Sequence, residues 1–404
     1  MTLTPDESAR SPWITVWFSP RLTIERLVAT RPAYFVWVLV ILGAAASIYN
    51  QAAAAGGAGY LLDLRLVPYF ALASAALGIL WLYVGAWLLS WIGRRLGGEA
   101  SAQQVRTVYA WSMLPVILCC LIVLATGLVA ENSALRSGAI ALLVLVFSIW
   151  SLVIFLLMLG RVQHFGFWRA VLTYLLNLVV ALAVAVFIRS FLYQPFNIPS
   201  GGMRPTLLVG DYIFVSKFSY GYSRFSLPFS APLISDRIFA SEPTRGDVVV
   251  FRFAKQDIDY VKRLVGLPGD RIQMKQGVLY INDIAVKREP APPIDADGDA
   301  CGSARTDKIK RWRETLPNGV SYETIDCLDN GPLDDTRIHT VPPGEFFMLG
   351  DNRDNSSDSR MTSIGYVPFE DLIGCVSVIF FSREAGAAGT APRARAERVG
   401  MTVR

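Results

Sequence analysis

At 404 residues with a formal net charge of +5, the chain has room for two or three domains and is only mildly basic. Its apolar fraction of 53% is high for a soluble protein, and the long apolar runs lie almost entirely in the first half. Arginines cluster in short segments between those runs, with no basic stripe interleaved with aromatics, which argues against nucleic acid as a partner.

In chain order, five apolar segments are long enough to cross a bilayer, given about 20 residues per span. They are predicted at 34–54, 67–92, 108–129, 139–159 and 171–191. The small residues Ala52–Ala55 look like a cleavage region, but the long leader before the first segment and the four spans after it argue against a signal peptide. Arg10, Arg21, Arg26 and Arg31 precede the first span, Arg94, Arg95 and Arg106 fill the second loop, and Arg161 and Arg169 the fourth. The first and third loops contribute only Arg65 and Arg136. This bias predicts a cytoplasmic N-terminus, and five crossings then carry the rest of the chain to the other side. The spans contain almost no ionisable residue, so no ion or proton pathway is expected.

Beyond the last span the pattern becomes β-rich. The segment 197–207, Asn-Ile-Pro-Ser-Gly-Gly-Met-Arg-Pro-Thr-Leu, is an irregular turn that offers the hydroxyl of Ser200 and free backbone N–H groups. Short β-branched runs at 212–215 and 247–251 predict strands. Residues 218–239 between them, aromatic and poor in charge, read either as a surface resting in a membrane interface or as a core hairpin. In Tyr260-Val261-Lys262-Arg263, strand alternation puts Tyr260 and Lys262 on one side and Val261 and Arg263 on the other. Lys262 either snorkels to water or, if buried, acquires a lowered pKa suited to a general base.

Hairpin turns are predicted at Gln276-Gly277 and Asn282-Asp283. Residues 289–336 form a polar insertion carrying Cys301 and Cys327, a candidate disulfide if this half is extracytoplasmic. No Cys/His cluster has metal-ligand spacing, so no metal site is expected. The loop 350–360, Gly-Asp-Asn-Arg-Asp-Asn-Ser-Ser-Asp-Ser-Arg, packs charges of both signs and hydroxyls more densely than a turn requires. The tail after Glu384 reads as loose. The expected organisation is a four-span membrane domain (1–165), a fifth spanning helix (166–193), a mostly antiparallel β domain (194–383) and the tail (384–404).

Together, the Ser-Gly turn after a final span, the Lys in Tyr-Val-Lys-Arg, the Gly-Leu-Pro-Gly-Asp turn at 266–270 and the 350–360 loop resemble bacterial type I signal peptidases. The first four spans resemble Yip-type membrane domains, by hydropathy more than by motif. The peptidase resemblance implies an extracytoplasmic β catalytic domain on the cytoplasmic (inner) membrane of a bacterium, without metal or cofactor. Its expected partners are the signal peptides of exported preproteins, the phospholipid bilayer and the secretion machinery. It also implies roles: Lys262 as general base, Ser356 orienting it, and Asp358 and Arg360 as a supporting ion pair that Arg263 could join. Ser200 would assist an oxyanion hole, and Phe196, Ile198, Met203, Tyr260 and Val261 would line small apolar pockets for an Ala-x-Ala substrate.

One position departs from the pattern. The family reads Ser-Gly-Ser-Met with the second serine as nucleophile, whereas this chain reads Ser200-Gly201-Gly202-Met203. Glycine has no oxygen for Lys262 to deprotonate, so cleavage is expected to be impaired or absent. Ser200 is an alternative nucleophile, displaced by two residues from the expected attack position. A non-cleaving protein that binds signal peptides or membrane partners is the alternative function.

Overall fold

A computed structural model of the chain describes residues 11–55, 67–125, 134–227, 230, 231, 234, 236–253, 255–295, 301, 308–384 and 393–403. Arg65, residues 126–129 of the third predicted span, 296–300 and 302–307 of the insertion and 385–392 of the tail lie outside the described residues, as does the side chain of Arg136. The chain divides into two compact units, residues 1–183 and 184–404.

The first unit is helical. Two short helices, α1 (Pro12–Phe18) and α2 (Pro20–Thr30), precede the spans, each with a proline in its first turn, where a missing N–H costs nothing. The leader expected to carry only topology signals thus folds, because Val16, Ile24 and Leu27 form an apolar stripe that is buried. Then follow α3 (Val36–Ala54), α4 (Val67–Leu80), α5 (Ala86–Arg95), α6 (Ala102–Ser112), α7 (Leu114–Ala125), α8 (Ala134–Val162) and α9 (Phe167–Phe187). Single π turns at Trp81–Gly85 and Ile188–Leu192 join α4 to α5 and extend α9. Among the described residues, five helical segments are long and apolar enough to cross a membrane: Val36–Ala54, Val67–Arg95, Ala102–Ala125, Ser137–Val162 and Phe167–Leu192. The third starts at a capping box, in which Ser101 Oγ accepts from Gln104 N–H and Gln104 Oε1 accepts from Ser101 N–H. This moves its start well ahead of the hydropathy edge at Val108.

The second unit is built on antiparallel strands: β1 (Tyr193–Asn197), β2 (Asp211–Ser216), β3 (Val248–Phe253), β4 (Ile258–Gly266), β5 (Arg271–Lys275), β6 (Val278–Ile281), β7 (Ile284–Ala285), β8 (Lys287–Asp295), β9 (Lys308–Thr315), β10 (Ser321–Asp326), β11 (His339–Thr340), β12 (Glu345–Leu349), β13 (Val367–Pro368), β14 (Leu372–Glu384) and β15 (Arg393–Ala394). The main sheet runs β1-β2-β14-β3-β4-β12-β13, with β15 on β14. A smaller sheet runs β11-β5-β6-β7, and both expected hairpin turns have positive φ at each central residue: 49° and 73° at Gln276 and Gly277, 53° and 66° at Asn282 and Asp283. The polar insertion forms its own sheet, β10-β9-β8, and a disulfide joins Cys301 to Cys327.

The tail differs from expectation. After 385–392, β15 pairs with the end of β14, and Arg398 Nη2 donates to Asp211 Oδ2 (2.6 Å) and to Thr206 O (2.9 Å). Asp211 is fully buried, so its charge requires a partner, and the arginine-rich tail supplies it. Composition alone made 393–403 look loose; the buried carboxylate docks it. The segment 218–239 buries Tyr220 and bridges Tyr222 to Ile238, yet leaves Phe218, Ile238 and Phe239 exposed.

Candidate active site

Strand β4 presents Lys262 and Arg263 in succession, both buried. Pleating sends them to opposite sides. Arg263 donates from Nε and Nη2 to the two carboxylate oxygens of Asp351, 2.7 Å each, and from Nη1 to Gly246 O (2.7 Å). Lys262 Nζ instead lines a cleft of about 540 Å³, lying 5.4 Å from the centre of the Tyr260 ring. Burial pushes the Lys262 amine below its ordinary 10.5; Asp358 and Asp351 pull it back up and Arg360 adds to the fall.

Opposite Lys262 stands the 200–203 turn. Ile198 N–H donates to Asp211 O (2.8 Å) and Gly210 N–H to Ile198 O (2.9 Å), prolonging the β1–β2 ladder up to the turn. Ser200 is exposed at the cleft, and Gly202 is buried. A Cβ on residue 202 would lie 3.4 Å from Lys262 Nζ and 3.2 Å from Asn355 O. A side chain here would therefore meet the amine.

The 350–360 loop forms the third wall. Asp358 accepts from Arg360 Nε (2.9 Å), Arg360 Nη2 (2.8 Å) and Gly350 N–H (3.1 Å). Burial alone would raise the Asp358 carboxyl, but Arg360, the Gly350 N–H and Lys262 together hold it below its usual range. Gly350 must remain glycine, because a Cβ there would come within 2.4 Å of Ser356 Cβ and 2.6 Å of the Gly202 carbonyl oxygen. Ser356 lines the cleft beside Lys262, but its buried hydroxyl has no hydrogen-bond partner among the described residues. The loop also grips the turn: Asn352 donates from N–H to Gly202 O (3.2 Å) and from Nδ2 to Gly201 O (3.0 Å). Phe196, Ile198, Met203, Tyr260 and Val261 all line the same cleft.

The structure thus gathers Lys262, Gly202, Ser200, Ser356 and the five apolar residues around one cavity. Arg263 does not join the Asp358–Arg360 pair. Facing away from Lys262, it makes a separate ion pair with Asp351, a partner the sequence reading missed although the residue lies in the charged loop. A second cleft, of about 410 Å³ and lined by Arg189, Gln194, Phe225, Arg252 and Asp259, backs onto the buried Lys217, whose Nζ is already tied to Gln194 Oε1 (2.9 Å) and Phe225 O (3.1 Å). Outside the lining of both clefts, carboxylate oxygens of Asp326, Asp334 and Asp354 lie within 4.8 Å of one another. Each residue already accepts a hydrogen bond, from Arg288, from Gly331 N–H and from Cys327 N–H respectively.

Residues 171–381 match the signal peptidase, peptidase S26, family. The chain belongs to that family. Signal peptidase I of Rickettsia typhi is 44% identical over 211 residues, covering 50% of this chain and 76% of that one. The Rickettsia massiliae signal peptidase I is 43% identical over 216 residues, 51% and 78% of the two chains. A crystal structure of a signal peptidase I from Enterococcus faecalis aligns at 27% identity over 33% of this chain and 97% of its own, with a TM-score of 0.20, too low for comparing folds. Residues 14–188 match the Yip1 domain. The chain is therefore a membrane protein of the signal peptidase I type, a serine endopeptidase family, with a Yip1-like membrane region ahead of its peptidase region.

Proposed function

We propose that this protein recognises the signal peptides of exported preproteins in the manner of signal peptidase I, and that glycine at position 202 leaves it with little or no cleavage. One observation carries the proposal: a side chain at residue 202 would start 3.4 Å from the Lys262 amine, and glycine supplies none. With serine there, the hydroxyl would attack the scissile carbonyl after Ala-x-Ala. Neutral Lys262 would take its proton and later deliver it to the leaving amine. The residue-202 N–H and the Ser200 hydroxyl would stabilise the oxyanion. Without it, the apolar cleft and these donors still suit a bound peptide.

The same reading places the N-terminus in the cytoplasm and the β unit outside the inner membrane, supported by the arginine bias of the loops. Exposed Phe218, Ile238 and Phe239 would rest in the headgroup region of the bilayer. The secretion machinery would deliver the preprotein.

The test is to incubate the purified protein and its Gly202→Ser form with a preprotein ending its signal in Ala-x-Ala. Cleavage by the serine form alone supports the reading. Cleavage by the unaltered chain that disappears in Ser200→Ala would make Ser200 the nucleophile instead. The binding reading is checked separately, by crosslinking a signal peptide to the unaltered chain.

A further inference from the structure

The loop that closes the cleft is held on two sides. On one side, Asn352 grips the backbone of Gly201 and Gly202. On the other lies the disulfide-bearing insertion. Ile325 of β10 donates its N–H to Asp351 O and accepts from Arg353 N–H, 3.0 Å each, so that residues 351–353 run as a short parallel bridge beside β10. Cys327 and Leu328 N–H groups then donate to Asp354 Oδ2, at 2.7 and 2.8 Å.

Side chains lock this bridge. Arg353 is 2% exposed, and its Nη2 donates to Glu314 Oε2 on β9, itself 1% exposed. The same oxygen accepts from Tyr322 Oη (2.9 Å), whose ring lies 4.1 Å beneath the Arg263 guanidinium. Arg263 in turn holds Asp351. Two buried cations, one at each end of the 351–353 segment, are thus braced against one cluster of the insertion. A buried guanidinium stripped of its carboxylate is strongly destabilised and moves towards water if it can. The insertion is therefore placed to fix the loop and, through Asn352, the turn facing Lys262.

We propose that Glu314, on the insertion and outside the lining of the cleft, is a positioning residue for the peptidase site: by holding Arg353 it fixes the loop whose Asn352 holds the residue-202 turn opposite Lys262. The inference rests on reading the cleft as a peptidase site, but two of its readouts need no nucleophile. Glu314→Gln keeps the size of the side chain and removes its charge. Glu323→Gln, on the neighbouring strand, breaks only the pairs to Arg311 and Arg313 and serves as the control.

The experiment uses the full chain in detergent. In Glu314→Gln the amides of 351–353 should exchange about tenfold faster or more, while Glu323→Gln leaves them unchanged. The pH midpoint for acetylation of Lys262 by acetic anhydride should also move, because Asp351, Asp358 and Arg360 set its charge environment. In the Gly202→Ser background, Glu314→Gln should lower kcat about tenfold or more with KM changed by less than about twofold. Should Glu314→Gln fail to fold, Tyr322→Phe carries the test: it keeps every charge and the ring over Arg263, and should shift the Lys262 midpoint in the same direction by less. Exchange and a Lys262 midpoint matching those of Glu323→Gln would overturn the proposal, whether or not Gly202→Ser cleaves.

Discussion

Lys262 and Arg263 are neighbours on one strand and both buried, yet their surroundings are opposite. Arg263 meets both oxygens of Asp351, and that carboxylate, outweighing the cost of burial, holds the guanidinium firmly charged. Among the described residues no hydrogen bond or ion pair ends on Lys262 Nζ, and burial there favours the neutral amine. A buried cation with a bidentate partner is a structural clamp; a buried amine facing a cleft is a base in waiting. On the proposed function, the two sides of β4 would divide the work of holding the loop and moving a proton.

The largest expected effect breaks the cleft side. In the Gly202→Ser background, Lys262→Met should reduce kcat by about 10³-fold or more while leaving the unfolding midpoint unchanged or raised, because the cost of the buried amine is removed, checked by preprotein cleavage and by denaturation. On the clamp side the pattern inverts. Asp351→Asn leaves Arg263 buried beside a neutral amide and should cost about 3–5 kcal/mol of stability, read from denaturant unfolding of the β unit's signal.

The pH dependence sharpens the contrast. Because the folded pKa of Lys262 lies below its ordinary value of 10.5, its destabilising cost is fully present below the folded pKa and fades as pH rises towards 10.5. Cleavage by Gly202→Ser should rise over the same lower limb as the amine loses its proton. Asp358 behaves in the opposite sense: its stabilisation is full above the ordinary carboxyl value of 3.8 and is lost as pH falls through the lower folded value. Unfolding curves between pH 2 and 5 should show that loss in the parent and not in Asp358→Asn. The smallest effect concerns the tail: Arg398→Ala, leaving Asp211 its contact with Arg395, should cost about 1–2 kcal/mol without changing signal-peptide crosslinking.

How far these features could be read from sequence followed the range of the interaction. The five spans were visible because hydropathy is local, and the hairpin at Asn282-Asp283 because turn chemistry is local. The placement of Lys262 at the cleft and the Asp358–Arg360 pair were legible through short motifs, whereas the expected bond from Ser356 to Lys262 is not made. What failed was long-range pairing: Arg353 finds Glu314 across 39 residues and Arg398 finds Asp211 across 187, and no local pattern encodes either. Helices α1 and α2 were missed for another reason, since an apolar stripe of Val16, Ile24 and Leu27 is too thin to register as a hydropathy peak. The pairing of Arg263 with Asp351 was within reach, because alternation already placed it on the side of β4 away from Lys262.

The most direct test of the account is one comparison, cleavage of an Ala-x-Ala preprotein by the unaltered chain and by Gly202→Ser under identical conditions. The account predicts that the serine form cleaves after the signal peptide at a rate at least about 10³-fold above the unaltered chain. Equal, robust cleavage by both would show that residue 202 is not where the nucleophile belongs, and would contradict it.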